Sequence, residues 1–208
     1  MSALTIAVPR GALLGDTLDL LDRLGIDTAE VRSNDRKLLF EDAGLITMRP
    51  SDVPTYVEAG AADIGVVGKD VLAEHPERNV YELLDLGFGR CRMVFATVEG
   101  DDPAAEALRR LGIMRIATKY PNMALAYFEK TGRQVEIVEV KGSVELAPLT
   151  GMVHGIVDLT ATGTTLRENG LVIREEISVA TARLIANPVS YRVKAAEIDA
   201  VVETLRAR

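Results

Sequence analysis

Short apolar runs alternate with helical patterns along this chain of 208 residues, and the alternation predicts an α/β fold in two lobes. Three observations carry that expectation. The strands and helices fall into two similar series, 1–90 and 91–180. No Pro/Gly/Ser-rich linker separates the series, so crossing strands should connect them. The segment after residue 180 ends in a long helical pattern that needs a partner face, which predicts a return to the first lobe. The expected division is 1–90 plus 181–208 for lobe I and 91–180 for lobe II. Each lobe is expected to be a mostly parallel sheet flanked by helices, with a cleft between the lobes.

Each element has its own signal. Residues 4–8, LTIAV, read as a buried strand. Asp16 opens a helix with Leu18 and Leu21 at helical spacing, ending at Leu24–Gly25. Residues 36–49 read as two strands joined at Asp42–Gly44. Ser51 is placed as the N-cap of a helix that Gly60 stops. Residues 62–68 form a strand with a helix after it, and 80–87 and 91–98 are two further strands. Asp102–Pro103 opens a helix that runs to Gly112. Residues 113–118, 135–140 and 155–160 read as strands, 122–132 as a helix and 142–151 as a short one. LVIREEI and VATARLIAN read as strands. From Pro188 the chain closes as one helix, with proline near its first turn.

The totals exclude several function classes. The chain is 48% hydrophobic and 26% charged, an ordinary soluble balance. Its formal net charge of −7 argues against nucleic-acid binding through a basic surface. One cysteine, Cys91, precludes an internal disulfide, and with only His75 and His154 beside it no structural zinc site is expected. MSALTIAVPRG has no basic n-region, and no apolar run is long enough to span a bilayer. The expected compartment is the cytoplasm, with no membrane partner.

The chemistry concentrates in IVDLTATGTTLRENG, residues 156–170. An apolar strand ends in Asp158–Leu159–Thr160, and TATGTT stands at its carboxyl end, opening a helix. Backbone N–H groups at a helix start converge on one spot and favour an anion there. Gly163 permits close approach or positive φ. Thr162, Thr164 and Thr165 add hydroxyl donors. That combination suits a phosphate monoester, while Asp158 beside it suits a neutral polyol such as a ribose diol. The competing reading is a helix cap with a glycine turn, and the pattern alone leaves both open. A P-loop and a dinucleotide fingerprint are excluded, because neither Gly-Lys-Ser/Thr nor G-x-G-x-x-G is present in its place.

DLTATGTTLRENGL resembles the phosphoribosyl-diphosphate (PRPP) loop of the ATP phosphoribosyltransferases, the first enzymes of histidine biosynthesis. DRKLLF (35–40), RPSDVPTYVEAGAADIGVVGKDVL (49–72), RIATKYPN (115–122) and GSVELAPL (142–149) agree with it, so the resemblance covers nearly the whole chain. It implies a periplasmic-binding-protein-like fold and transfer of 5-phosphoribosyl from PRPP to N1 of ATP, releasing pyrophosphate. The length resembles the family's short form. Such members form a homodimer that joins a histidyl-tRNA-synthetase-like regulatory subunit in a hetero-oligomer. Mg²⁺ is the implied cofactor, since both substrates carry polyphosphates; no protein side chain is assigned to it.

The resemblance also assigns residues. Ala161, Thr162, Gly163, Thr164 and Thr165 are expected to hold the 5′-phosphate of PRPP. Asp158 is expected at the ribose, with Glu145 as a second carboxylate. Arg36 and Arg10 are the expected catalytic cations for the departing pyrophosphate, and Gly11 is placed beside PRPP. Lys37, Arg49, Lys69 and Tyr120 are the expected ATP contacts. Bland alternatives stand beside these: Arg49 as a solvated surface charge, Lys69 as a helix-capping residue, Tyr120 as packing. The family usually carries Lys-Gly-Arg where this chain has Arg10-Gly11-Ala12. One cation is thereby lost, and either Arg10 covers both roles or Arg36 carries more. The rival class is a two-lobe module that binds a small anion without chemistry; another phosphoribosyltransferase is the rival enzyme.

Overall fold

The computed structural model describes residues 4–207. The described residues divide into two compact units: those up to Gly89 together with those from Thr181 onward, and Arg90–Ala180. Residues 1–3 and 208, at the outer limits of the first expected lobe, lie outside the described residues.

The first unit begins with β1 (Ile6–Pro9), a three-residue 3₁₀ turn and α1 (Leu14–Arg23). Then come α2 (Ala29–Ser33), the hairpin β2 (Leu39–Phe40) and β3 (Leu45–Met48), α3 (Val53–Glu58), β4 (Ile64–Gly68), α4 (Lys69–Glu74) and β5 (Tyr81–Asp85). Ser51 does not cap α3. Pro50–Asp52 form a 3₁₀ turn that leads into the helix, and the Ser51 hydroxyl hydrogen-bonds the Asp52 carboxylate at 3.3 Å.

The second unit holds β6 (Cys91–Val98), α5 (Pro103–Leu111), β7 (Met114–Thr118), α6 (Pro121–Lys130), β8 (Val135–Glu139), α7 (Leu146–Leu149), β9 (Gly155–Thr160), α8 (Thr164–Glu168) and β10 (Leu171–Ala180). The Asp102 side chain accepts from the N–H groups of Ala104 and Ala105 and caps α5, with Pro103 at the first turn. Strand order is β10-β6-β9-β7-β8. The β9-β7-β8 half is parallel, and β6 pairs antiparallel with both β9 and β10. Side-chain alternation loads both faces. Met93, Phe95, Met114, Ile116 and Val157 face the core under α5 and α6. Val94, Ala96, Ala117 and Ile156 face a second core with Ala147 of α7 and Leu166 of α8. Asp158 shares the parity of Ile156, so it points to the α7–α8 side of the sheet's carboxyl edge.

The chain then returns through β11 (Ala182–Ala186), α9 (Pro188–Val193) and α10 (Ala195–Arg206) to the first unit. That sheet runs β2-β3-β1-β4-β11-β5, with β3-β1-β4 parallel and β2, β11 and β5 antiparallel to their neighbours. Both sheets are thus mixed: the βα repeats build the parallel strands, while the hairpin and the returning strands add the antiparallel ones. Ile6 and Val8 face one core with α1 and α10, and Ala7 faces the other with α3. Two sequence boundaries shift. β10 extends through Val179 and Ala180, which pair with Arg92 and Cys91, so only Thr181 is left as the link to β11. The final helix is two helices broken at Lys194, whose Nζ lies 2.7 Å from the Asp63 carboxylate; that anchor overrides helix propensity.

Candidate active site

In the second unit, the parallel strands β8, β7 and β9 end side by side, and charged side chains stand at and past their carboxyl ends, the edge where α/β sheets bind ligands. Lys119 stands one residue past β7, Glu145 sits at the N-cap of α7 after β8, and Asp158 lies near the end of β9, before the loop. Asp158 is only 8% exposed, and its Oδ1 lies 3.6 Å from Lys119 Nζ. Burial pushes its carboxyl above the usual carboxylate range, and Glu145 adds to the push. Lys119 and the Leu159 N–H, which donates to Oδ1 at 2.8 Å, act against it. Glu145 thus lies near enough for its charge to act on Asp158.

The loop after β9 folds on its own hydroxyls. The Thr160 hydroxyl accepts from Gly163 N–H at 2.8 Å, and the Thr162 hydroxyl accepts from Thr164 N–H at 3.3 Å. Thr162 and Thr164 hydroxyls lie 2.9 Å apart. Gly163 has φ 76°, a left-handed conformation in which a Cβ is strained, and it forms the N-cap of α8. Ala161, Thr162, Thr164 and Thr165 are exposed. α8 has only five residues, so its dipole contributes little, and what the loop offers an anion is its exposed N–H and hydroxyl groups.

Three residues that sequence reasoning left out of the site belong to this corner: Lys119, Thr160 and Arg167. Arg167 reaches back from α8 and donates to Thr162 O at 3.2 Å and to the Thr164 hydroxyl at 3.1 Å, adding a guanidinium to the loop. Its signal in the sequence was its spacing, three residues past Thr164 and on the same helical face. The signal for Lys119 was the rule applied to Arg10, a cation just past a strand's carboxyl end. Tyr120 is buried in the core under α5 and α6, with Lys119 Nζ 5.2 Å from its ring centre. His154, half-buried, accepts the Arg115 N–H on Nδ1 at 2.8 Å, a structural role.

In the first unit, three cations stand one residue past three neighbouring parallel strands: Arg49 after β3, Arg10 after β1 and Lys69 after β4. Their freedom differs. The Arg10 guanidinium donates to the Thr47 hydroxyl at 3.1 Å and to Lys37 O at 2.9 Å, bracing β1 against β3 and the 36–38 segment. Gly11 comes next with φ 79° and open space where a Cβ would stand. Lys69 pairs with Glu82 and Lys37 with Glu30, each at 2.5 Å. Arg36 and Arg49 are exposed, and among the described residues neither guanidinium has an ion-pair partner. Ala12 is exposed as well, so nothing at that position replaces the missing cation.

The family model described as ATP phosphoribosyltransferase matches residues 49–207. The chain belongs to the ATP phosphoribosyltransferase family. It is 52% identical over 208 residues to the ATP phosphoribosyltransferase of Rubrobacter xylanophilus, covering 99% of this chain and 96% of that one. It is 48% identical over 206 residues to the enzyme so named from Bacillus licheniformis, covering 97% and 93%. Among solved structures, it is similar to the ATP phosphoribosyl transferase (HisG:HisZ) complex from Thermotoga maritima, with TM-score 0.82, 37% identity and coverage of 99% and 98%. The aliphatic sulphonate binding protein SsuA of Escherichia coli superposes with TM-score 0.63 at 13% identity and shares the fold alone. The activity is that of an ATP phosphoribosyltransferase, a pentosyl-transferring enzyme of histidine biosynthesis: 5-phosphoribosyl passes from PRPP to N1 of ATP. A binding module without chemistry is not favoured.

Proposed function

We propose that this ATP phosphoribosyltransferase divides its labour between a sugar-phosphate corner in the second unit and a set of cations in the first. The observation that carries the reading is the Asp158 corner: a buried carboxylate flanked by Lys119 and Glu145, next to a loop of exposed N–H and hydroxyl groups. The 5′-phosphate of PRPP is held by Ala161, Thr162, Gly163, Thr164 and Thr165, with Arg167 close by. Asp158 accepts from the ribose hydroxyls, with Glu145 beside it. A buried acceptor fixes the sugar while C1 gains positive character.

Pyrophosphate departs with its charge growing, and a cation aimed at it lowers the barrier most. Two of the Arg10 guanidinium nitrogens are already engaged. Arg36, less committed than Arg10, takes the larger share, with Arg10 and Gly11 supporting. Lys37, Arg49 and Lys69 serve the ATP phosphates, Lys37 and Lys69 by exchanging a carboxylate partner for phosphate. Tyr120 contributes to the adenine side only through what its buried ring leaves accessible. Adenine N1 is a competent nucleophile when neutral, so no strong base is required.

Among the described residues no group of three His, Cys, Asp or Glu is arranged to hold a metal. In this reading Mg²⁺ comes in on the substrates' own phosphates, where it neutralises polyphosphate charge. The HisG:HisZ neighbour supports a regulatory partner in a hetero-oligomer; a homodimer of this chain and a histidyl-tRNA-synthetase-like partner are the finer form of the same reading. No described helix is long and apolar enough to cross a membrane. The biosynthetic family is what supports a cytoplasmic location in this reading. The test of the ribose role is Asp158→Asn. PRPP KM rises by tenfold or more while ATP affinity holds; an unchanged PRPP KM would remove Asp158 from the ribose.

A further inference from the structure

The corner holds a cation that no assigned role uses. Lys119 is placed by the β7–β9 pairing: Thr118 is in register with Val157, so the next residue of each strand, Lys119 and Asp158, meet at the sheet's carboxyl edge. Both have the parity that faces the α7–α8 side. Lys119 Nζ is 3.6 Å from Asp158 Oδ1 and 5.2 Å from the Tyr120 ring centre, so the ring's face and the carboxylate confine the ammonium together. The Lys119 side chain is 42% exposed and that of Asp158 is 12% exposed. The lysine therefore brings a solvated charge to the rim of a buried one.

We propose that Lys119 is a positioning residue for phosphoribosyl transfer: it keeps Asp158 ionised and aimed so that the carboxylate can accept from the ribose of PRPP. The inference rests on the ribose role given above for Asp158. Among the described residues, Lys119 is the cation that acts on that carboxylate. Glu145, from the start of α7, is of like sign and works against ionisation. On the same row of the sheet, Val94 of β6 lies opposite Asp158, and Glu176 of β10 lies opposite Val94. Glu176 pairs at 3.1 Å with Arg92, which stands two residues along β6, opposite Thr160, so that arginine is engaged away from the Asp158 row. From α8, Arg167 is turned onto Thr162 and Thr164. Burial and Glu145 favour the protonated form of Asp158, Lys119 favours the ionised one, and a protonated carboxyl loses most of its strength as an acceptor.

The variants are Lys119→Met, which keeps the length of the stem, and Lys119→Arg, which keeps the charge. The measurement is the pH dependence of kcat/KM for PRPP, with ATP saturating, beside thermal melts that confirm folding. In Lys119→Met the acid limb moves to higher pH by about one unit, a tenfold loss at the foot of the limb, while the plateau at high pH recovers most of the activity. Lys119→Arg leaves the limb near its original position. A uniform loss at every pH, or a limb that does not move, overturns the proposal and makes Lys119 a packing residue or a direct substrate contact. A limb that moves as far in Lys119→Arg as in Lys119→Met also overturns it. Asp158→Asn separates the two levels of inference. If it abolishes PRPP use while the Lys119→Met limb stays put, the ribose role stands and the positioning role falls. If it leaves PRPP kcat/KM intact, the ribose role itself has failed.

Discussion

Asp158 and Arg36, the two residues given the central roles in the proposal, differ in burial, and each sets its own test. Asp158 is buried and its pKa is raised, so the native state holds its proton to higher pH than the unfolded chain does. Folding stability therefore falls as pH rises from the ordinary carboxylate value through the raised one, and the penalty is complete above it. Asp158→Asn removes that penalty, and the exposed Lys119 loses little by it. The variant should melt at or above the parent at neutral pH, with the difference closing toward acid, even as PRPP use collapses. A lower melting temperature at neutral pH would mean that the carboxylate stabilises the fold. Arg36 is exposed and without an ion-pair partner among the described residues, so Arg36→Ala should leave the melt within about 0.5 kcal/mol of the parent. Its kcat should fall by tenfold or more with little change in KM. A rise in KM alone would make it a binding residue.

At the scale of elements, the β9–α8 connection and the Lys194 break show local preference yielding to tertiary demand. Gly163→Ala places a Cβ at φ 76° with Arg167 Nη1 3.4 Å away. The cost is about 1 kcal/mol of stability, and the PRPP KM should rise as the loop shifts. Normal PRPP kinetics in that variant would show that the loop geometry is not what holds the phosphate. At the other end of the first unit, Asp63 Oδ2 receives the Thr5 N–H at 2.8 Å and Lys194 Nζ at 2.7 Å. Burial pushes the Asp63 carboxyl up, but Lys194, the Thr5 N–H and Ser190 outweigh it and hold it below the ordinary value. Its contribution is thus present above the ordinary carboxylate pKa and lost as pH falls through the lowered one. Lys194→Met should cost about 2 kcal/mol in denaturant melts at neutral pH and much less in acid. A cost that is constant with pH would point to packing of the lysine stem instead.

For the molecule as a whole, the sequence was most informative where physics is local. Asp102–Pro103 and Gly112 marked α5 because a cap and a stop act within one turn. The Asp158 loop was legible because a strand end, a glycine and hydroxyls lie together in the chain. Lys119 and Arg167 were missed because their meaning depends on the β7–β9 register and on α8 turning back onto its own loop. The Lys194 break was invisible because Asp63 lies far away in sequence. The mixed pairing of the sheets was also hidden, since strand direction in β10 and β11 depends on the chain passing between the units. The free or occupied state of each cation is likewise a tertiary fact: Lys37, Arg36 and Arg10 sit close together in sequence signal, yet only Arg36 is left uncommitted.

The reaction itself is open to one direct measurement. The chain is mixed with ATP, PRPP and Mg²⁺, with and without the regulatory subunit, and the ultraviolet absorbance of N1-alkylated adenine is monitored. Absorbance should grow only when both substrates are present, and should be abolished by Asp158→Asn at low PRPP. No new absorbance from the parent protein, even with the regulatory subunit added, would contradict phosphoribosyl transfer to ATP.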